Sequence, residues 1–150
     1  MRRTVWIAVL VLALDRLTKL AAERMTSPVT LVPGVVGLQL SYNTGAAFSL
    51  FQGCPWLLGV LSLALVAAGA LVLRRYRLGP WTRTAAMLML GGALGNAVDR
   101  LFAGRVTDMV EVLAFRFAVF NLADAALVIG CALMAWTLWH RPQEWEAKHG

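Results

Sequence analysis

Charged residues are scarce in this chain of 150 residues. Asp, Glu, Lys and Arg together make up 15% of it, whereas hydrophobic residues make up 59%. A soluble domain of this size cannot bury so many apolar side chains, so the composition excludes an ordinary water-soluble globular protein. It is typical of an integral membrane protein, and the length suits about four spans with short connections.

Cysteine and histidine are scarcer still, with two residues of each. Cys54 and Cys131 lie in unrelated contexts without metal-ligand spacing, so we expect neither a disulfide nor a metal site. His140 and His149 lie in the C-terminal tail, and the patterns H-E-x-x-H and G-x-S-x-G do not occur. The sequence therefore argues against a zinc protease or a serine hydrolase, and it predicts no metal and no cofactor.

The net charge of +6 is carried by Arg residues that cluster at the ends of apolar segments. Arg2 and Arg3 precede the first apolar segment, and Arg74, Arg75 and Arg77 follow the second. This placement is typical of membrane topology signals and not of a phosphate-binding stripe, so we expect no nucleic-acid partner.

Four apolar segments set the predicted architecture. The sequence predicts a membrane all-α bundle of four transmembrane helices with a small extracytoplasmic β-cradle, forming a single domain over residues 1–150. The expected spans are residues 4–23, 55–73, 83–101 and 117–139. The two outer segments, which connect these spans on one side of the membrane, are residues 26–53 and 103–117.

The two outer segments differ in texture. Residues 29–32 and 35–42 are rich in β-branched side chains and flank a Pro33-Gly34 turn signal, which predicts a strand pair or small sheet at the membrane surface. Residues 106–117 mix apolar and charged positions, and periodicity leaves open whether they form a strand or a short interfacial helix.

Lys and Arg predict the orientation. They concentrate at the N-terminus, in the loop around residues 74–83 and in the tail, so the positive-inside rule places both termini and that loop in the cytoplasm. At ~1.5 Å per helical residue, the unusual polar side chains of the spans then gather in the outer half of the membrane. They are Asp15, Lys19, Asn96, Asp99, Arg100, Asn121 and Asp124, with Asn43 and Asp108 contributed by the outer segments.

The stretch from Gly91 to Arg100 holds the densest group of these residues. Gly91 and Gly95 form a small-xxx-small pair, which predicts that the third span approaches a neighbour closely. Asn96 and Arg100 are four residues apart and therefore share one helix face. We expect this stretch to form a wall of the site, with the reactive groups supplied by other segments.

Two acids have little compensating charge. Asp124 has no basic residue on its helix before the cytoplasmic end, and Asp108 has only Arg105 nearby in sequence. Two such carboxylates brought together do not easily both ionise, so they share a proton. One can then act as general base on a water while the other, protonated, polarises a carbonyl group.

Structural interpretations compete with this one. Asp15 and Lys19 are equally consistent with a buried ion pair, Asn96 and Asn121 with hydrogen bonds to exposed backbone groups, and Asp99 with a contact to Arg100 or a helix end. A proton-coupled carrier would use acids as a relay, but the inner half offers no ionisable residue before Asp15. A non-catalytic protein that binds lipidated peptides is a third possibility.

Five motifs of this chain resemble those of the lipoprotein signal peptidases (signal peptidase II), a family of bacterial membrane aspartyl peptidases, and they occur in the same order as in that family. The motifs cover the chain from about residue 12 to 128. They are Asp15-Arg16-Leu17-Thr18-Lys19, Asn43-Thr44-Gly45-Ala46-Ala47-Phe48, Gly95-Asn96-Ala97-Val98-Asp99-Arg100, Val106-Thr107-Asp108 and Phe120-Asn121-Leu122-Ala123-Asp124.

The resemblance implies a catalytic pair, a substrate and a location. It places the catalytic pair at Asp108 and Asp124, and Met109 departs from the Phe expected after the first of them. It implies a prolipoprotein substrate cut just before its diacylglyceryl-modified cysteine, contact with membrane lipid, inhibition by globomycin-type peptides, and a monomer in the bacterial cytoplasmic (inner) membrane. It implies a polar surround that positions the substrate, formed by Asp15, Lys19, Asn43, Asn96, Asp99, Arg100 and Asn121.

Overall fold

Four long helices and two small sheets make up the protein in a computed structural model, which describes residues 2–45, 51–115 and 117–147. The helices are α1 (Arg2–Ala22), α2 (Pro55–Arg75), α3 (Pro80–Phe102) and α4 (Leu122–His140). The strands are β1 (Val29–Val32), β2 (Val36–Asn43), β3 (Tyr76–Leu78), β4 (Val106–Val112) and β5 (Trp145–Ala147), and a 3-10 turn covers Pro142–Glu144.

The helix boundaries follow the predicted spans closely, except at the start of the fourth. The apolar pattern predicted a start near residue 117, but α4 begins at Leu122. Phe120 instead forms a β-bridge with Val110, and Asn121 caps the helix. Because apolar periodicity does not distinguish extended from helical backbone over such a short run, the predicted start was wrong.

Helix α3 is the centre of the bundle and packs against α1, α2 and α4. A Cβ atom at Gly91 would lie 3.0 Å from the backbone oxygen of Ala8 in α1, and one at Gly95 would lie 2.8 Å from Oδ2 of Asp15. A Cβ at Gly92 would collide with the backbone oxygen of Ala123 in α4. The glycines therefore allow the close approach that the small-xxx-small spacing predicted.

A three-stranded antiparallel sheet, in the order β1-β2-β4, lies beside the ends of α1 and α3. The predicted strand pair around Pro33-Gly34 is present, with Gly34 at a positive φ of 71° in the turn. Strand β4 resolves the ambiguity over residues 106–117, because Val106–Val112 is extended and pairs with β2. The pairing is irregular between Leu38 and Ser41, directly beside the point where Ser41 faces Asp108.

A second sheet, β3 with β5, was not predicted; the sequence suggested only a tight loop and a polar tail. The Glu144 carboxylate accepts hydrogen bonds from the backbone N–H of Thr82 (2.9 Å) and from its hydroxyl (3.0 Å). Gly79 precedes α3 and donates its N–H to the backbone oxygen of Glu144. The tail thus supplies an acceptor to the first turn of α3, whose N–H groups have no partner within the helix.

Apolar surface dominates the outside of the bundle. By length and composition, α2 and α4 are apolar enough to cross a membrane. Helices α1 and α3 are as long but contain more ionisable residues, and three of these, Asp15, Lys19 and Asp99, are buried. Large apolar side chains such as Leu65 and Val128 are instead mostly exposed.

Gly92→Ala is expected to destabilise the protein, because the added methyl group would collide with the α4 backbone, which cannot rotate away. The cost of such overpacking is about 1–3 kcal/mol. Gly69→Ala in α2 is the matched control, since its Cβ would meet only the flexible end of Leu90 at 3.0 Å. Thermal unfolding of the purified protein in detergent measures both. An equal effect of the two substitutions would contradict this account of the α3–α4 contact.

Candidate active site

Polar side chains from three helices and one strand meet at a single place, which we call the polar cluster. Most of its members are buried and Asp124 is half-buried. The polar cluster consists of Asp15, Lys19, Asn96, Asp99, Asp108, Asn121 and Asp124. The sequence had predicted this convergence.

The Lys19 ammonium lies at the base of the polar cluster, with its side chain fully buried. Its Nζ is 2.7 Å from Oδ2 of Asp15 and 2.7 Å from Oδ2 of Asp99. It also donates to Oδ1 of Asn96 at 3.1 Å. The buried ammonium is therefore paired with two carboxylates and one amide oxygen, as a buried charge requires. Asp99 therefore pairs with α1, and Arg16 approaches it from the exposed side at 3.6 Å.

Asp15 also connects α1 to α4. Its Oδ1 accepts a hydrogen bond from the backbone N–H of Ala123 at 3.0 Å, in the first turn of α4. N–H groups in the first turn lack partners within the helix, and a negative charge there interacts favourably with the helix dipole. Asp15 is thus both the predicted ion-pair partner of Lys19 and an anchor for the start of α4.

A capping box fixes the start of α4. Asn121 Oδ1 accepts from the backbone N–H of Asp124 at 2.9 Å, and Asp124 Oδ2 accepts from the backbone N–H of Asn121 at 3.2 Å. Each residue therefore holds the other in place. Because Asp124 is part of this box, its carboxylate position is set by the backbone.

Two side-chain amides connect the carboxylates of Asp108 and Asp124. Asn121 Nδ2 donates to Oδ1 of Asp108 at 2.7 Å and to Oδ1 of Asn96 at 3.1 Å. Asn96 Nδ2 in turn donates to Oδ1 of Asp124 at 2.7 Å. The two acids that the sequence identified as poorly compensated are thus joined through hydrogen bonds at one point.

Asp108 lies on β4, and the pKa of its carboxyl is raised from 3.8 to about 6, chiefly because the group is buried. The negative charge of Asp124 contributes to this rise, whereas hydrogen bonds from Asn121 and Asn43 and the charge of Lys19 oppose it. Met109, the departure from the family motif, is buried behind the site. A carboxyl with a pKa near 6 exchanges its proton readily near neutral pH, as acid–base chemistry requires.

Arg100 and Asn43 lie at the edge of the polar cluster, where they hold the turn after β2. Arg100 Nη2 donates to the backbone oxygen of Gly45 at 3.0 Å, and Asn43 Oδ1 accepts from the backbone N–H of Gly45 at 2.9 Å. The last residues of the same motif, Ala46, Ala47 and Phe48, lie outside the described residues.

One contact near Asp108 was not anticipated. The Thr107 hydroxyl donates to Oε1 of Glu23 at 3.0 Å, which ties the end of α1 to the residue before Asp108. Thr107 belongs to a recognised motif, but an acid at a helix end such as Glu23 carries no sequence signal of its own.

Over the residues that the structure covers, no group of three or more His, Cys, Asp or Glu side chains is arranged to hold a metal ion.

Asp108→Asn is expected to stabilise the folded protein at neutral pH. Because the folded-state pKa lies above the unfolded value, the contribution of Asp108 to stability is present below pH ~4 and is lost as the pH rises through about 6. The variant should therefore exceed the wild type by about 1–3 kcal/mol at pH 8 and by little at pH 4.

Thermal unfolding in detergent from pH 4 to pH 8 measures this difference, and Glu111→Gln on the same strand is the control. A stability difference for Asp108→Asn that is the same at both ends of the range would show that Asp108 is not held at a raised pKa.

Known proteins give a consistent answer about the family. A family model described as signal peptidase (SPase) II matches residues 7–140. A lipoprotein signal peptidase of Thermosynechococcus vestitus is 40% identical over 145 residues, covering 90% of each chain. Another, of Pseudomonas aeruginosa, is 36% identical over 156 residues, covering 97% of this chain and 92% of the relative.

Solved structures agree with the sequence relatives. A protein described as a bacterial membrane enzyme matches with a TM-score of 0.86 at 25% identity, covering 92% of this chain and 88% of that one. A second such enzyme matches with a TM-score of 0.80, also at 25% identity, over 94% of this chain and 95% of that one. Fold, sequence and family model therefore coincide over most of the chain, which belongs to the signal peptidase II family of membrane peptidases.

Proposed function

We propose that this peptidase removes the signal peptide from diacylglyceryl-modified prolipoproteins, cutting just before the lipidated cysteine, and that Asp108 and Asp124 are its catalytic pair. The observation that supports this assignment is the hydrogen-bonded link from Asp108 through Asn121 and Asn96 to Asp124. It brings the carboxylates of a strand and a helix terminus to one site.

The chemistry follows from one proton shared between two carboxylates. One carboxylate takes a proton from water as the water oxygen attacks the scissile carbonyl carbon, and the other, protonated, polarises the carbonyl oxygen. The tetrahedral intermediate then collapses: the C–N bond breaks, the leaving nitrogen receives the proton taken from water, and the pair again holds a single proton. Asn96 and Asn121 keep both carboxylates in position throughout.

The polar surround has a supporting role in this proposal. Lys19, Asp15 and Asp99 hold α1, α3 and α4 together beneath the pair. Arg100 and Asn43 fix the turn after β2, which places them at the edge of the site where the substrate backbone passes.

Lipid is the second half of the proposed substrate. Exposed apolar side chains surround the site on the outer segments, and they offer a surface for acyl chains and for the membrane itself. They include Val29, Leu31 and Val35 near the first hairpin and Leu113, Phe115 and Phe117 after β4. Globomycin-type peptide inhibitors are proposed to occupy the same place, and the enzyme is proposed to act as a monomer.

We further propose that all four helices span the bacterial cytoplasmic (inner) membrane, with both termini in the cytoplasm and the site towards the outer leaflet. Burial of Asp15, Lys19 and Asp99 supports this arrangement for α1 and α3, since their outward faces are largely apolar. The Arg residues of the loop after α2 mark the opposite, cytoplasmic end. The three-stranded sheet then forms the extracytoplasmic β-cradle.

Asp108→Asn and Asp124→Asn are each expected to reduce cleavage at least 1000-fold, because the pair acts as a unit and neither carboxylate can replace the other. The measurement is cleavage of a lipidated prolipoprotein by the purified enzyme in lipid. Glu111→Gln, which removes an acid from the same strand outside the polar cluster, is the matched control and should cleave normally. Normal turnover by either Asp variant would refute the catalytic assignment.

Cysteine labelling tests the proposed orientation. In a background with Cys54→Ser and Cys131→Ser, Ala103→Cys should react with an impermeant maleimide added to intact spheroplasts, because it lies at the outer end of α3. Arg77→Cys should react only after permeabilisation, since it follows α2 on the cytoplasmic side. The opposite pattern would invert the topology and place the polar cluster in the inner leaflet.

A further inference from the structure

The roles of the two catalytic carboxylates are not equivalent, and the orientation of the amides between them distinguishes them. Asn121 Oδ1 accepts from the backbone N–H of Asp124, a group that can only donate. Its side chain therefore has one allowed orientation, with Nδ2 facing Asp108 and Asn96. The amide therefore donates to Oδ1 of Asp108, and Asn43 donates a second hydrogen bond to the same carboxyl group.

The orientation of Asn96 is fixed independently by Lys19. The ammonium has no lone pair, so the Asn96 atom that lies 3.1 Å from it must be the oxygen. Asn121 Nδ2 donates to the same oxygen, again at 3.1 Å. Lys19 and Asn121 both donate to this oxygen, so both require the same orientation of the Asn96 amide. In that orientation Asn96 Nδ2 points at Asp124.

Both oxygens of Asp124 consequently face donors. Oδ1 accepts from Asn96 at 2.7 Å and Oδ2 from the backbone N–H of Asn121 at 3.2 Å. The residue also occupies the third position of α4, where the helix dipole favours a negative charge. Asp108 lies on strand β4, where the donors to its carboxyl are the side-chain amides of Asn121 and Asn43 and where burial raises its pKa. The surroundings thus stabilise the ionised form of Asp124 in preference to that of Asp108.

We propose that Asp124 is the ionised carboxylate that activates the water, that Asp108 carries the proton, and that Lys19 is the positioning residue that maintains this distribution through Asn96. The proposal rests on the proposed peptidase function, within which it divides the two roles. Lys19 acts at a distance, since its ammonium contacts Asn96 and the carboxylates of Asp15 and Asp99.

Each atom in the reaction then has an assigned path. Asp124 accepts the proton of the attacking water, and the proton on Asp108 moves to the carbonyl oxygen of the scissile bond. When the C–N bond breaks, the proton on Asp124 passes to the leaving nitrogen and the hydroxyl proton of the intermediate returns to Asp108. The enzyme ends as it began, with one proton on Asp108.

Infrared spectroscopy of the full-length enzyme without substrate tests the proton assignment directly. A protonated-carboxyl C=O band that titrates near neutral pH is expected in the wild type. It should disappear in Asp108→Asn and persist in Asp124→Asn, where it should titrate at lower pH because a neighbouring negative charge is gone. Persistence of the band in Asp108→Asn, or its loss in Asp124→Asn, would overturn the assignment. The readout needs no turnover, so it can fail while the peptidase function stands.

The role of Lys19 is tested by the pH profile of kcat/KM. The variant Lys19→Met/Asp99→Asn removes the ammonium and keeps the net charge of the polar cluster unchanged. Its acid limb should move to higher pH by about one unit, because the Asn96 amide that holds Asp124 ionised is then oriented by one donor, Asn121 Nδ2, instead of two. The matched control Arg16→Met/Asp99→Asn makes the same charge change with a cation that does not touch Asn96, and its limb should not move.

Asn96→Ala provides a second route that leaves no buried charge unpaired, and its acid limb should move in the same direction. A uniform loss of rate at every pH in Lys19→Met/Asp99→Asn, with its limb unmoved, would reduce Lys19 to a structural residue and overturn its positioning role. The charged groups that face Asp108 and Asp124 are Asp15 and Lys19 of α1 and Asp99 and Arg100 of α3. Each variant keeps all of these groups except the ones that its substitutions replace.

Discussion

The buried ammonium of Lys19 is the interaction on which the polar cluster depends. This single charge pairs with two acids, Asp15 on α1 and Asp99 on α3. Asp15 in turn accepts a hydrogen bond from the first turn of α4. Leaving one member of such a buried group unpaired costs about 3–5 kcal/mol, so the three helices are held in one relative position. That position is the one in which Asn96 and Asn121 can reach the carboxylates of Asp108 and Asp124.

Close packing around α3 makes these contacts possible. Gly91 and Gly92 leave no side chain between α3 and its neighbours, so the short side chains of Asp15 and Asn96 span the remaining distance. At the other end of α3, the Glu144 carboxylate occupies the first turn and Gly79 leaves space for it. The helix that carries the middle of the site is therefore constrained at both ends, and its polar face is aimed at the start of α4.

The sequence predicted the site better than it predicted the local structure around it. Ionisable residues at membrane depth are rare, so Asp15, Asp99 and Asp124 were recognisable from the apolar residues around them, and helical spacing placed them on shared faces. The strand β4 was ambiguous because seven residues of mixed polarity fit either a strand or a helix; its pairing with β2 decided the matter. The start of α4 depended on the cap at Asn121, which apolar periodicity does not report.

Contacts between residues distant in sequence were beyond prediction. The β3–β5 sheet joins segments nearly seventy positions apart, as the pairing of Leu78 with Trp145 shows, and Glu23 meets Thr107 across the same kind of separation. Such contacts depend on how all the helices and strands pack together, and the pattern of residues in a single sequence does not predict them. The family resemblance supplied the proposed catalytic pair, whereas the unequal environments of its two members came from the hydrogen bonds of the structure.

The most direct test of the account is a crystal structure of the wild-type enzyme with a bound, uncleavable lipidated peptide. The account predicts that the carbonyl before the lipidated cysteine lies between Asp108 and Asp124, with each carboxylate within ~3 Å of its oxygen or of a water beside its carbon. The acyl chains should lie on the apolar surface next to the outer sheet. A scissile carbonyl held far from both carboxylates, with the polar cluster undisturbed beneath it, would contradict the central claim.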